Sequence, residues 1–110
     1  MRVIRIPPWV GFSLAWGGII LLAEDDLRTF RHEMEHLRQQ REDGLALWTW
    51  RYLTSPPLRL RYEALAWATE GDQGSLEAFA LDLSTFYRCG PLAACEAALR
   101  ATQQTSCAPH

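Results

Sequence analysis

The chain has 110 residues, of which 11 are basic and 13 acidic, and 48% are apolar. This length predicts a single domain spanning 1–110 without a second catalytic module, and the apolar fraction argues against a disordered chain. All of the basic side chains are arginines, and the formal net charge is −2. A slightly acidic balance argues against a nucleic-acid-binding protein that depends on phosphate contacts.

Three cysteines lie in the last quarter of the chain, at Cys89, Cys95 and Cys107. Their odd number and the lack of C-x-x-C spacing predict neither a zinc ribbon nor a disulfide scaffold. We expect buried free thiols in a reducing compartment, with a Cys89–Cys95 disulfide as the alternative. The most apolar stretch, 9–23, is shorter than the ~20 residues that span a bilayer and does not follow the signal-peptide pattern. A cytoplasmic protein is therefore predicted, with membrane contact disfavoured.

The pattern of the first two dozen residues predicts all of the β-structure. Residues 2–6 alternate in the way of a short strand that ends at Pro7 and Pro8. Alternation over 12–16 and an apolar run over 19–22 flank Gly17 and Gly18. This arrangement predicts a β-hairpin that turns at the two glycines. The strand before the first helix can either pair with an extended peptide at its edge or serve only in core packing.

The remainder of the chain has helical patterning. Acidic residues at 24–26 suit the start of a helix, and Gly44 suits its end. The predicted fold class is α+β, mostly α, with a short N-terminal β-hairpin and about five helices. The helices are expected at 27–43, 45–53, 58–70, 76–89 and 92–101, with a polar tail from about 102.

The first helix contains an H-E-x-x-H pattern at 32–36. Residues four apart lie one above the other on a helix, so His32 and His36 can bind one metal ion. Glu33, next to the first ligand, can then take a proton from water at the open coordination position. The apolar stripe of this helix lies on the opposite side from the two histidines. The alternative is a solvated helix face that carries many charges.

A catalytic zinc ion requires a third protein ligand, and the only other histidine is His110 in the tail. Glu63 is the first choice because apolar residues at i−3 and i+4 surround it, where an unpaired carboxylate is costly. An ion pair between Glu63 and Arg59 is the alternative role for this carboxylate. Glu70 and Asp72 are alternative ligands.

The chain resembles the small HExxH+E zinc metallopeptidases, a minigluzincin-like group of bacterial and phage genomes. The resemblance covers roughly residues 10–72. Its most specific part is the RHEMEHLRQ run at 31–39, preceded by Gly17-Gly18-Ile19-Ile20-Leu21. The aromatic helix around Trp48 and Tyr52, and the run from Tyr62 to Trp67, complete it.

This resemblance implies a Zn²⁺ cofactor held by His32, His36 and Glu63, with Glu33 as the general base. It implies hydrolysis of a peptide or protein substrate by zinc-activated water. The chain departs from the group at Trp67, where gluzincins often have an acidic residue one turn after the ligand glutamate. The oxyanion-stabilising residue is also not evident, and Tyr62, Tyr87 and Arg88 are candidates.

Two other classes of function compete with the peptidase. One is a catalytically inactive zinc-binding or protein-interaction module on the same scaffold, and the other is a membrane-surface partner.

The five tryptophans are expected to build the core of a small domain, with lining of a substrate pocket as the alternative. They are Trp9, Trp16, Trp48, Trp50 and Trp67. Gln39 and Gln40 are expected to be solvated or to cap nearby backbone.

Overall fold

The structure is a computed structural model that describes residues 1–24, 26–70 and 75–106. A three-stranded sheet at the N-terminus is followed by five helices, which confirms the α+β, mostly α fold class. The strands are β1 (Arg2–Arg5), β2 (Leu14–Trp16) and β3 (Ile19–Leu22). The helices are α1 (Leu27–Asp43), α2 (Leu45–Thr54), α3 (Pro56–Ala68), α4 (Leu76–Thr85) and α5 (Leu92–Ser106).

The predicted hairpin is formed by β2 and β3. Gly17 and Gly18 have φ angles of +62° and +84°, the left-handed values that a two-residue hairpin turn requires and that glycine adopts without strain. The first strand joins the same sheet: β1 pairs with β3 in parallel, with Arg2 opposite Ile19. The strand order is β1-β3-β2, so β2 lies at an edge of the sheet.

Helix α1 lies between this sheet and α3. It begins after Asp26, whose side chain accepts a 2.6 Å hydrogen bond from the Thr29 backbone N–H, and it ends at Gly44, where φ is +88°. Its apolar stripe packs on the sheet, which leaves the opposite side of the helix to face α3. The sheet cluster consists of Ala15, Ile20, Leu22 and Leu37, with Phe30 and Met34 packed against it.

Helix α3 begins two residues earlier than predicted. The Ser55 hydroxyl accepts a hydrogen bond from the Leu58 N–H, and Pro56 occupies the first turn, where proline loses no helical hydrogen bond. The Ser55-Pro56-Pro57 segment therefore ends α2 and also starts α3. One side of α3 packs into the second buried cluster, which consists of Ala64, Trp67, Ala80, Leu83, Cys89, Cys95 and Leu99.

Two predicted helix ends are wrong. Helix α4 ends at Thr85 and not near Cys89; the chain turns away close behind it, where Arg88 has a left-handed φ of 54°. Helix α5 continues to Ser106 instead of giving way to a polar tail near residue 102. Its Thr102 hydroxyl donates to the Ala98 carbonyl, so a polar side chain in this segment is accommodated within the helix.

The expectation that all five tryptophans build the core is wrong for three of them. Trp48 and Trp67 are buried, whereas Trp9, Trp16 and Trp50 are 84%, 50% and 68% exposed. The two buried clusters are built mainly from Ala, Leu, Ile and Cys side chains, and Trp67 is the one tryptophan among their buried members.

The predicted state of two cysteines is confirmed, because Cys89 and Cys95 are buried free thiols; Cys107 lies outside the described residues. Within 1–24, 26–70 and 75–106, no helix is both long and apolar enough to cross a bilayer.

Candidate metal centre

The two histidines of the H-E-x-x-H pattern meet the carboxylate of Glu63 between α1 and α3. The Glu63 Oε2 atom lies 3.1 Å from His32 Nε2 and 3.3 Å from His36 Nε2. All three side chains are buried, and one ligand atom of each lies within 4.8 Å of the others. The alternative of a solvated helix face is therefore wrong for His32 and His36.

The second ring nitrogen of each histidine has a partner that can only accept a hydrogen bond. His32 Nδ1 is 2.7 Å from the Glu70 carboxylate, and His36 Nδ1 is 3.1 Å from the Gln39 side-chain carbonyl. These partners hold one proton on Nδ1, so Nε2, which faces Glu63, is the nitrogen that binds either a second proton or a metal ion. Such an arrangement is typical of imidazoles that bind a metal ion through Nε2.

Tyr52 also orients the Glu63 carboxylate, at the oxygen that lies 3.0 Å from His36 Nε2. The Tyr52 hydroxyl donates a 2.9 Å hydrogen bond to Oε1 of Glu63. Glu63 is only 2% exposed, so its charge requires nearby compensation. The adjacent residue Ala64 belongs to the apolar cluster, and α3 thus fixes the carboxylate against a packed core.

Proton binding provides this compensation in the metal-free protein. Burial lowers the pKa of His32, but the hydrogen bonds to Glu63 and Glu70 outweigh burial and raise it to about 10, against an ordinary 6.5. The pKa of His36 is also raised, because the negative charge of Glu63 outweighs burial. Burial raises the pKa of Glu63, yet the nearby imidazoles lower it well below its ordinary range. The site therefore favours positive charge between its ligands, supplied by protons or by a metal ion.

Glu33 is buried beside the three ligands but is not bound to them. It is 6% exposed, and among the described residues none forms a hydrogen bond with its carboxylate. Burial raises its pKa, an effect that the positive charge on His36 and His32 only partly offsets. A carboxylate with a raised pKa and a free lone pair is suited to accept and return a proton.

A cleft opens on both sides of Glu33. A smaller lobe of about 430 Å³ extends past His32 and Glu70, and a larger lobe of about 520 Å³ extends past His36 and Glu63. The two lobes adjoin because they share five lining residues from the segment before β2, from α1 and from the α4–α5 connection. These are Phe12, Ser13, Glu33, Phe86 and Tyr87.

The alternative third ligands have different positions. Glu70 contacts His32 through Nδ1, on the side away from Glu63, and its other oxygen lies 3.4 Å from Arg28. Glu70 therefore orients His32, and it lies two turns after Glu63, whereas the position one turn after is the core residue Trp67. Asp72 and His110 lie outside the described residues. The alternative ion pair of Glu63 with Arg59 is also not formed, since Arg59 donates to backbone carbonyls at 52 and 88.

The three oxyanion candidates are separated by the structure. The Tyr62 hydroxyl donates to Asp43, away from the histidines. Tyr87 lines both lobes beside Glu33, and none of the described residues forms a hydrogen bond with its hydroxyl. Arg88 lines only the larger lobe. Of the three, Tyr87 is the one that lines both lobes, and its hydroxyl has no hydrogen-bond partner among the described residues.

Sequence reasoning missed the roles of Gln39 and Gln40, which are both buried. Gln39 accepts from His36 and from the Trp48 indole; its place three residues after His36 is the signal that could have revealed it. Gln40 accepts from the Gly17 N–H and donates to the Ala15 carbonyl. Expected solvation is wrong for both, whereas bonding to nearby backbone is confirmed for both, because Gln39 also donates to the Tyr62 carbonyl. The Ala15 carbonyl of β2 and the Gly17 N–H that follows the strand are thus not free to pair with a peptide.

The donor set fits a zinc ion, since two imidazole nitrogens and one carboxylate oxygen are the protein ligands of one common class of catalytic zinc site. Comparison of the chain with models of protein families, with curated proteins and with solved structures gave no match. The resemblance to the minigluzincin-like metallopeptidases therefore stays a prediction. What the site can do has to be inferred from its own side chains.

Proposed function

We propose that the protein is a zinc-dependent metallopeptidase in which His32, His36 and Glu63 hold Zn²⁺ and Glu33 is the general base. One observation carries this proposal: a buried His-His-Glu cluster lines a cleft beside the buried Glu33 carboxylate, to which none of the described residues donates a hydrogen bond. A purely structural metal site has four protein ligands and needs neither the cleft nor the free carboxylate.

In peptide hydrolysis, the bound zinc ion and the side chains of the protein would have different roles. Zinc held by these ligands would polarise a peptide carbonyl and make water acidic enough to react near neutral pH. Glu33 accepts the water proton at a carboxylate oxygen and returns it to the leaving amine, for which its raised pKa suits it. Tyr87 is placed to donate its hydroxyl hydrogen to the carbonyl oxygen as negative charge develops there.

The size and shape of the cleft favour a peptide over a small substrate. The two lobes lie on opposite sides of Glu33, so an extended chain with its cleaved bond at Glu33 can place side chains in both.

The free thiols of Cys89 and Cys95 are typical of a reducing compartment, and we infer a cytoplasmic location on that ground.

The test combines metal analysis with cleavage of a peptide library. We expect about one zinc per chain in the wild type and loss of the metal in both His36→Ala and Glu63→Ala. Glu33→Gln should retain zinc but reduce kcat/KM by at least about 100-fold. Glu42→Gln is the matched control, because it makes the same charge change on α1 at an exposed position outside the cleft, and it should retain both.

Two results would contradict the proposal. Absence of zinc after reconstitution would show that the buried cluster is held by protons alone. Stoichiometric zinc without cleavage of any peptide would favour the alternative of an inactive zinc-binding or interaction module. That alternative has an observation of its own, since the outer face of α2 exposes Leu47, Trp50 and Leu53.

A further inference from the structure

The larger lobe has apolar walls and positive charge at its edge. Trp48 stacks on Tyr52 at 4.9 Å between ring centres in its interior, and Trp16 contributes an indole that is half exposed. Besides the carboxylates of Glu33 and Glu63 and the imidazole of His36, its charged side chains are those of Arg59 and Arg88. A large apolar side chain would be desolvated there, whereas a cation would meet two guanidinium groups.

The smaller lobe has the opposite charge. Glu24 and Asp82 contribute exposed carboxylates to its wall. Its one arginine, Arg28, is already paired with Glu70 at 3.4 Å. Within the described part of the chain, no ion pair joins Asp82 to a basic residue. The lobe therefore presents uncompensated negative charge to whatever enters it.

We propose that the cleft selects peptides with a large apolar residue on one side of the cleaved bond and a basic residue on the other. The apolar residue fills the larger lobe next to His36, and the basic residue enters the smaller lobe near Asp82. This inference rests on the proposed peptidase function. Glu33 is common to both lobes, is 6% exposed and has no hydrogen-bond partner among the described residues, so it marks where the peptide bond lies.

For a fixed chain direction through the cleft, which the positions of Glu33 and Tyr87 would impose, the charge difference also sets the order of the two residues. Reversing the two residues brings a cation to Arg59 and Arg88 and leaves an apolar side chain against two carboxylates. Specificity of this kind combines attraction for one arrangement with repulsion of the other. Of two peptides that differ only in the order of the central pair, one should therefore be preferred.

The cleavage test uses five peptides that differ only in the central pair, which is Phe-Lys, Lys-Phe, Phe-Phe, Phe-Gln or Gln-Phe. Wild-type zinc protein should cleave one of the two Phe/Lys orders faster than its reverse, faster than Phe-Phe, and faster than its own Gln counterpart. Asp82→Asn should reduce the preference for Lys over Gln by about two- to fivefold. Glu77→Gln is the matched control on α4, outside the cleft, and should leave the preference unchanged.

A binding measurement separates this inference from the peptidase proposal. Fluorescence anisotropy of the same labelled peptides is measured with zinc-loaded Glu33→Gln, alone and combined with Asp82→Asn or with Arg88→Asn. Asparagine tolerates the left-handed backbone at 88. We expect the same order of preference, weakened for Lys by Asp82→Asn, and weaker discrimination against the reversed peptide with Arg88→Asn.

The outcomes are distinct. Selective binding without any cleavage by the wild type would retain this inference and overturn the peptidase. Cleavage or binding without preference for Lys over Gln, or a preference that Asp82→Asn leaves intact, would overturn this inference and retain the peptidase. Peptides that neither bind nor are cleaved would overturn both.

Discussion

The apolar core between α3, α4 and α5 and the polar centre between α1 and α3 are equally buried, but they are stabilised by different means. Leu83 and Leu99 in the core are fully buried and need only close packing. Glu63 and His36 in the polar centre need a counter-charge and hydrogen-bond partners. Helix α3 joins the two regions, because Glu63 points to one and its neighbour Ala64 to the other. The comparison indicates that packing of the apolar core can hold a polar cluster in position although burying that cluster costs free energy.

The largest expected effect distinguishes the two regions by their response to zinc. A thousandfold excess of free zinc over its Kd should stabilise the wild type by about 4 kcal/mol. Glu63→Gln should lose most of this gain, because it removes the ligand charge. The measurement is chemical denaturation with zinc and with a chelator. An unchanged zinc effect in Glu63→Gln would exclude Glu63 as a ligand.

A substitution in the apolar core should have the complementary result. Leu83→Ala should lower the free energy of unfolding by about 2–5 kcal/mol through the cavity that it creates. It should retain one zinc per chain and the full stabilisation by zinc, since it contacts no ligand. Denaturation with and without chelator checks both points. Loss of zinc in this variant would mean that the two regions are not separable.

A smaller effect is expected from the partner of His32. Glu70→Ala removes the acceptor of Nδ1 and should weaken zinc binding by about 10- to 100-fold without abolishing it. Glu77→Ala, an exposed glutamate on α4, is the control for the loss of one negative charge. Competition with a chromogenic chelator measures both affinities. If the two variants bound zinc with equal affinity, Glu70 would serve only in its ion pair with Arg28 and not in zinc binding.

The most selective effect is the pH dependence of the metal-free protein. The folded pKa of His32 is raised to about 10 from 6.5, so its protonation stabilises the fold fully below pH 6.5, and this contribution is lost as the pH rises through 10. Zinc binding should instead strengthen with pH, because the ligands must lose protons. Denaturation from pH 6 to 10, with chelator, measures the trend. If the free energy of unfolding of the metal-free protein rose over this pH range, His32 would not be protonated in the folded state as inferred.

Much of the fold could be predicted from local signals. The turn at Gly17 and Gly18, the Asp26 cap and the Gly44 helix end each depend on the chemistry of one or two residues. The meeting of His32 with His36 follows from helical spacing, and Glu63 could be selected because apolar neighbours isolate its charge. Each of these inferences needs only a few neighbouring residues along the chain.

The contacts that could not be predicted are long-range. Nothing in the local sequence indicates that Glu70 bonds to His32, that Tyr52 bonds to Glu63, or that the first strand pairs in parallel with β3. The tryptophan prediction was wrong for the same reason, since size and apolarity do not show which indole the neighbouring helices cover.

The sequence by itself determined the element types and most of their limits, and it placed Glu63 first among the candidate partners of His32 and His36, because propensity, capping, helical periodicity and the cost of an isolated charge act within a few residues. The tertiary structure decided which groups support that cluster, which donor in the cleft stays free, and how charge divides between its lobes. These depend on the packing of α1, α3 and the α4–α5 connection, where residues more than twenty positions apart are brought within hydrogen-bond distance. For that reason the chemistry of the site could be anticipated from the chain, but its selectivity could be inferred only from the assembled cleft.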